Sequence, residues 1–171
     1  MAEATAFNLG SGQKAERNLL IAFANTGTSA APVWEAMGYG VEDSSIEFDF
    51  SEKTKTDILG LTSTNLKAPS RKQSFEPCEI REGSALQLKL YNAMRNERWS
   101  ELMAMDLLIV HKYVGTEGAF EAERFTGSTI IPKSLGGSNT LDMPYDVIYG
   151  GTHTLGSAAI AGGVATFTAA A

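Results

Sequence analysis

Ile46, Phe48 and Phe50 alternate with Ser45, Glu47, Asp49 and Ser51. A period of two places one set of side chains against a core and the other in water, so this segment is predicted to be a strand. The stretch from Thr54 to Thr64 keeps β-branched residues but loses the apolar face, and Pro69, Ser70, Arg71 and Lys72 lead into a return strand from Gln73 to Ile80. Together they predict one long hairpin over residues 44–80. Its outer half is too polar and too long to be covered by one small core. Two readings follow: an arm that meets another molecule, or a solvated loop.

One helix is predicted over residues 84–98. Ser84 followed by Gln87 has the form of a capping box, and Leu86, Leu90, Ala93 and Met94 fall on one stripe, with Lys89, Arg95, Asn96 and Arg98 mainly away from it. An amphipathic helix must pack on something. Met105 to Val114 is apolar on both alternating sets, Leu107 and Ile109 against Leu108 and Val110, as in a strand covered on both faces.

The remaining punctuation predicts an apolar segment from Leu19 to Phe23, a loop from Asn25 to Pro32 and a tight turn at Gly38-Tyr39-Gly40. Strands follow at Phe120 to Phe125, Gly127 to Ile131, Tyr145 to Tyr149, Thr152 to Leu155 and Val164 to Thr168. No repeat of fixed period is visible. The expected class is mainly β: a β-sandwich or partial barrel with one flanking α-helix, a long protruding hairpin, and N- and C-terminal arms. The expected division is an arm over 1–18, the domain over 19–155, and a C-terminal strand or arm over 156–171.

Length and charge narrow the classes. A chain of 171 residues suits one domain, and 43% apolar with 20% charged residues is an ordinary globular balance. A net charge of −6 argues against a surface built to grip phosphates. Cys78 is alone, without a second Cys or a His at metal spacing, which fits folding in cytoplasm. Met1 to Gln13 lacks the basic and apolar regions of a signal peptide, and no apolar run reaches membrane-spanning length, so a soluble protein without a membrane role is expected.

Candidate chemistry is sparse. His111 and His153 lie outside any nucleophile motif; His111 is expected to be a hydrogen-bonded structural residue, and His153, after a Gly-Gly turn, an exposed one. Cys78 reads as a small buried hydrophobe. The carboxylate pairs Glu42/Asp43, Glu47/Asp49 and Glu121/Glu123 suit either an acid/base or cation site, or a solvated face. The glycine clusters lack phosphate-cradle spacing. No catalysis and no cofactor are expected. Lys53 and Lys55 alternate on the hairpin, where they either meet acids of a neighbouring subunit or protect an edge from aggregation.

The run from Val33 to Phe48, with Trp34, Gly38 and Gly40 ahead of a long polar strand, resembles the phage major tail-tube proteins of long-tailed bacteriophages. So do the Thr-rich hairpin ending near Gly60, the helix from Ser84, Phe120 to Phe125 before Ile130-Ile131-Pro132, Pro144 to Gly151, Leu155-Gly156 and Val164 to Thr168. The likeness covers about residues 19–168 and is carried by patterns of fold and turn. It implies six subunits per ring, rings stacked into a tube, a hairpin reaching into the adjacent ring, and a passive conduit for DNA in the virion tail, made in the host bacterial cytoplasm.

It further implies tape-measure, tail-tip or baseplate and tail-terminator partners, and a sheath in contractile relatives. The inner tube of a contractile injection system shares the pattern. A β-sandwich binding module, such as a carbohydrate-binding domain or adhesin, is the alternative from another class; it would need several exposed aromatics on one platform. Under the tube reading, Phe7, Leu9, Lys53, Lys55, Leu59, Leu61, Leu66, Arg71, Lys72 and Phe167 are candidate contacts between subunits or rings. Glu47 and Asp49 are candidates for the lumen wall or, equally, for the outside.

Overall fold

The computed structural model describes residue 4 and residues 6–171. Their strands are β1 (Leu20–Asn25), β2 (Trp34–Ala36), β3 (Ile46–Asp49), β4 (Lys53–Thr56), β5 (Thr62–Asn65), β6 (Ser70–Phe75), β7 (Met105–Thr116), β8 (Ala119–Pro132), β9 (Tyr145–Tyr149), β10 (Thr152–Ala161) and β11 (Val164–Ala169). Two helices, α1 (Ala85–Arg95) and α2 (Trp99–Leu102), separate β6 from β7. Six strands close a barrel in the order β1, β2, β11, β10, β8, β7, and the closure between β2 and β11 rests on the single bridge Ala165 to Trp34. A second sheet continues from β8 through β9 and β6 to β3.

The doubly apolar segment forms β7 and separates two cores. Leu108 and Val110 point into the barrel with Phe23, Trp34, Phe120, Ala122, Ala158 and Ala165. Leu107 and Ile109 point out of it, into a core shared by α1 and the second sheet, where Leu86, Leu90, Phe75, Tyr145, Val147 and Ile130 are buried. At one end of the barrel Arg124 makes a two-pronged ion pair to Asp106 (2.9 and 2.6 Å), Asn25 donates to the same carboxylate (3.2 Å), and the guanidinium lies 5.6 Å from the Trp34 ring. A buried acid is tolerable there because its charge and lone pairs are met.

Two predicted strands prove to be one. β8 runs unbroken from Ala119 to Pro132, and Gly127 is an extra residue in the ladder: Met105 pairs with Ser128 and Asp106 with Thr126. With φ at 96°, Gly127 takes a backbone conformation closed to most side chains, and the bulge bends β8 from the barrel into the second sheet. The C-terminal segment belongs to the barrel, since β10 and β11 pair from Gly156 and Ala169 to Ala161 and Val164. A Cβ on Gly156 would fall 2.6 Å from the Phe167 ring, so glycine lets this aromatic lie flat on the hairpin.

The hairpin over 44–80 forms as expected at its base, where β3 pairs with β6, and distally, where β4 pairs with β5. Its return strand ends at Phe75, ahead of Pro77, which has no N–H to donate. The expected core face is realised only at Ile46. Phe48 and Phe50 are 54% and 43% exposed, because the alternation runs past the end of the layer behind it.

The helix keeps its predicted stripe, with Leu86, Leu90 and Ala93 buried. The Ser84 hydroxyl accepts from the Gln87 N–H at 3.2 Å, but the reciprocal half of the capping box is absent. Instead Gln87 Oε1 accepts from the Arg81 N–H and Nε2 donates to the Glu79 carbonyl, while Glu35 from β2 accepts from the Ser84 hydroxyl and the Leu86 N–H. The helix stops at Arg95, short of 98. Glu97 turns left-handed (φ 54°) while the Arg98 N–H reaches the Ala93 carbonyl (2.8 Å) and the Glu97 N–H that of Met94 (3.2 Å).

Replacing Leu108 with alanine is expected to cost about 2–5 kcal/mol in urea unfolding, whereas Leu59→Ala on the bare hairpin stays within about 0.5 kcal/mol. Glu97→Gly should raise stability by about 1 kcal/mol, because glycine carries no penalty for the left-handed turn.

Candidate functional site

Where the second sheet meets the outside of the barrel, four strands bring titratable side chains together. Glu123 on β8 accepts from Arg71 of β6 (2.6 Å) and His153 of β10 (2.8 Å) through one oxygen, and from His111 of β7 (2.9 Å) through the other. The second ring nitrogen of His111 lies 2.9 Å from the Tyr113 hydroxyl. His153 stacks on Phe125 at 4.6 Å, and the Arg71 guanidinium lies 5.3 Å from Phe125 and 5.5 Å from Phe48. Glu121, the other acid predicted on this face, pairs across the ladder with His111 and lacks such a cage.

Burial alone would raise the Glu123 pKa. The hydrogen bonds and charges of His111 and Arg71 outweigh that effect and hold it at about 2. A carboxylate with three donors on two oxygens and so little proton affinity is poorly suited to abstract a proton. It acts as a clasp between sheet and barrel. The predicted structural role of His111 agrees with its contacts; His153 is exposed as expected, yet it also joins the clasp. Among the described residues no group of three or more His, Cys, Asp or Glu side chains is placed to hold a metal ion, and no helix is long and apolar enough to cross a membrane.

A different kind of site is built on the hairpin. Thr54 faces Thr64 and Thr56 faces Thr62, their hydroxyls 3.2 and 3.1 Å apart, so one face is a threonine ladder; Lys53 and Lys55 stand on the other. The tip is preformed: Asp57 Oδ1 accepts from the N–H groups of Leu59 (2.8 Å) and Leu61 (2.9 Å), and Gly60 takes φ 79°. Every residue of β4 and β5 is exposed. Ile58 is 102% exposed, and Leu59, Leu61 and Leu66 are exposed too. The hairpin thus projects from the body and ends in bare aliphatic side chains.

The other predicted contact residues separate in kind. Lys72 is exposed, but the charge of Arg71 is met by Glu123 of its own chain. Phe7 is exposed beside Tyr113 (5.8 Å between ring centroids) and Leu9 is half-buried, while residues 1–3 and 5 of the expected arm lie outside the described residues. Phe167 packs on its own barrel core. Glu47 and Asp49 are exposed on the outer face of the second sheet, where Glu47 stands opposite Lys72. That face also carries Ser74, Asp146 and Ile131.

One surface escaped the pattern reading. A groove of about 670 Å³ runs between the N-terminal half of α1 and the loop before β9, lined by Ile80, Leu88, Tyr91, Leu135 and Leu141. These five side chains are exposed to between 38% and 60%. The available signal was Leu88 and Tyr91, three apart on the helix and off the stripe formed by Leu86 and Leu90. Ile58 also carried a signal, as one of three aliphatic residues, with Leu59 and Leu61, between two threonine runs.

No family model matches the chain, and no curated protein matches it in sequence. Among solved structures it is similar to a chain of the sheath-tube complex of PVC, an extracellular contractile injection system, in the extended state. That likeness has 9% identity, covers 81% of this chain and 88% of the other, and has a TM-score of 0.44. It is also similar to a chain of the sheath/tube terminator of the same system, at 10% identity over 84% and 96% of the two chains, with a TM-score of 0.46.

The clasp predicts a pH dependence. The folded pKa of Glu123, about 2, lies below its ordinary value of 4.5. Its stabilisation is therefore complete above the unfolded value and is lost as pH falls through the folded one. In urea unfolding at a series of pH values, Glu123→Gln should be less stable than the natural chain at pH 7 by on the order of 2–3 kcal/mol. That gap should shrink from about pH 5 down to about pH 2.

Proposed function

We propose that this chain is the structural subunit of a bacteriophage tail tube, forming hexameric rings that stack into a hollow conduit for DNA. The observation that carries the reading is the second sheet. Among the described residues β3 pairs only with β6, and the Thr129–Pro132 segment of β8 only with β9, so within them the sheet has an unpaired edge on each side. An exposed edge is a template for another strand. Joining β3 of one copy to β8 of the next satisfies both edges and closes a ring, with the outer face of the sheet turned to one side throughout. Six copies per ring is what the sequence resemblance implies, and the projecting hairpin supplies a contact along the axis.

Turned inward, that face would put Glu47 and Asp49 on the bore, with Lys72 and the Asp146–Lys133 ion pair among them. Each copy also brings a net charge of −6. Phosphates passing within about 8 Å of an acidic wall at physiological salt are repelled, so DNA slides without sticking. A sheath, where present, would meet the outside, so the same geometry serves the inner tube of a contractile machine. The binding-module alternative loses Trp34, which is buried in the barrel.

Negative-stain microscopy of concentrated protein should show hollow rods of stacked rings; dispersed monomers at every concentration would count against the reading. Glu47→Lys with Asp49→Lys should leave the rods intact and make them retain a short DNA duplex at low salt, released as salt rises. Intact rods that bind no more DNA than the natural ones would place these two side chains away from the bore.

A further inference from the structure

We infer that the joint between neighbouring copies has a second, apolar layer behind its shared strands: Phe48 and Phe50 of one copy seat against Trp99 and Met103 of the next. The inference rests on the tube reading and names a partner surface that strand pairing alone leaves open.

The first half of the contact is on β3. Glu47 and Asp49 occupy its outer face, whereas Ile46 packs on the core under the second sheet. Phe48 takes the same side as Ile46: the Arg71 guanidinium, held by Glu123 of β8, lies 5.5 Å from its ring. Phe50 is next in the alternation. Behind this end of β3 the chain supplies no layer of its own, so both rings stay exposed on the side that faces the barrel layer.

The second half is beside the free edge of β8. That strand gives one edge to β10 and β9 and the other to β7. β7 starts at Met105, opposite Ser128, so the edge left open at Thr129–Pro132 is flanked by the segment that leads into β7, which is α2. α2 lies against β8, and its Leu102 is buried in the same core that Ile46 touches, so it stands on the barrel side of the sheet. Trp99 and Met103, four apart on this turn, are 54% and 59% exposed.

The topology brings the two halves together. Three successive antiparallel pairings make β3 run opposite to β8, so a copy rotated about the bore presents β3 antiparallel to the open edge of the next. Ile46, Gln73, Val147 and Ile130 form one row across the sheet, and Phe48 lies on the Ser128 side of that row, where β7 takes over the edge. Carried across the joint, the two phenylalanines therefore arrive in front of α2. A strand of four residues supplies backbone bonds but little apolar area, whereas a stable interface buries about 800 Å² per partner around a dry centre. Two phenylalanines, a tryptophan and a methionine supply that centre, and they belong to the residue types that anchor interfaces.

The test is disulfide trapping at the concentration used for microscopy, with the single variants Phe50→Cys and Met103→Cys. Both positions are exposed, and the natural Cys78 is buried and does not compete. Within one chain β3 and β8 are three strand spacings apart, about 14 Å, beyond the span of a disulfide. Crosslinked dimer is expected in the mixture and in neither variant alone, and the double variant should give a covalent ladder that ends at the closed ring. Dimer from either variant alone means a symmetric contact and overturns the seat. Absence of both rods and crosslink overturns the seat and the tube reading together.

Tryptophan fluorescence supplies the second arm. Trp34 is already buried, so acrylamide quenching reports on Trp99. In rods its emission should shift to shorter wavelength and lose most of the quenching seen in the dilute monomer. Rods in which Trp99 stays as open to acrylamide as in the monomer overturn the seat and leave the tube reading standing. Rods that shield Trp99 but give no crosslink show that another surface covers α2, and likewise overturn it.

Discussion

The structure depends on burying β7 on both faces. Leu108 and Val110 complete the barrel interior, Leu107 and Ile109 complete the core under α1, and all four are at most 1% exposed. One strand is therefore the common wall of two cores, and neither can loosen without the other. That coupling fixes the second sheet against the barrel. The Glu123 clasp reinforces the same junction from the side where the apolar layer ends, tying β6 to β7, β8 and β10 at the base of the hairpin.

The parts of the fold legible in the sequence were those with an uninterrupted period. The stripe of α1, the two-sided apolar run of β7 and the alternation of β3 each follow from local burial. The single long β8 was not legible, because Gly127 looks like a strand break and only the register with β7 reveals a bulge. The outward exposure of Phe48 and Phe50 was hidden for a related reason: a period of two states which side chains share a face, but not where the opposing layer stops.

The site was less legible than the fold. His111, Glu123, Arg71 and His153 come from four strands, and no spacing along the chain announces their meeting. Arg71 shows the limit well. Its position near the hairpin suggested a contact with a neighbour, yet the pairing of β6 with β9 and the bend of β8 bring Glu123 within 2.6 Å of it. Among the described residues the lysines and leucines farther out on the hairpin have no such partner, so the division between internal and outward residues falls inside the hairpin itself.

That division bears on how a tube of the proposed kind would stay orderly. The stalk strands present threonines and lysines, which leave their edges hydrated, and the exposed apolar side chains stand at the tip and, with Phe50 and Leu66, at the base. A tip of three aliphatic side chains offers only a small contact, insufficient to hold two free subunits together at dilution. In a ring of the proposed kind several tips would meet the next ring at once, and every contact after the first would form at high effective concentration. A weak individual joint is then an advantage. It would keep isolated copies apart, yet let a completed ring bind the next one firmly, so that growth would favour the end of an existing stack over new starts.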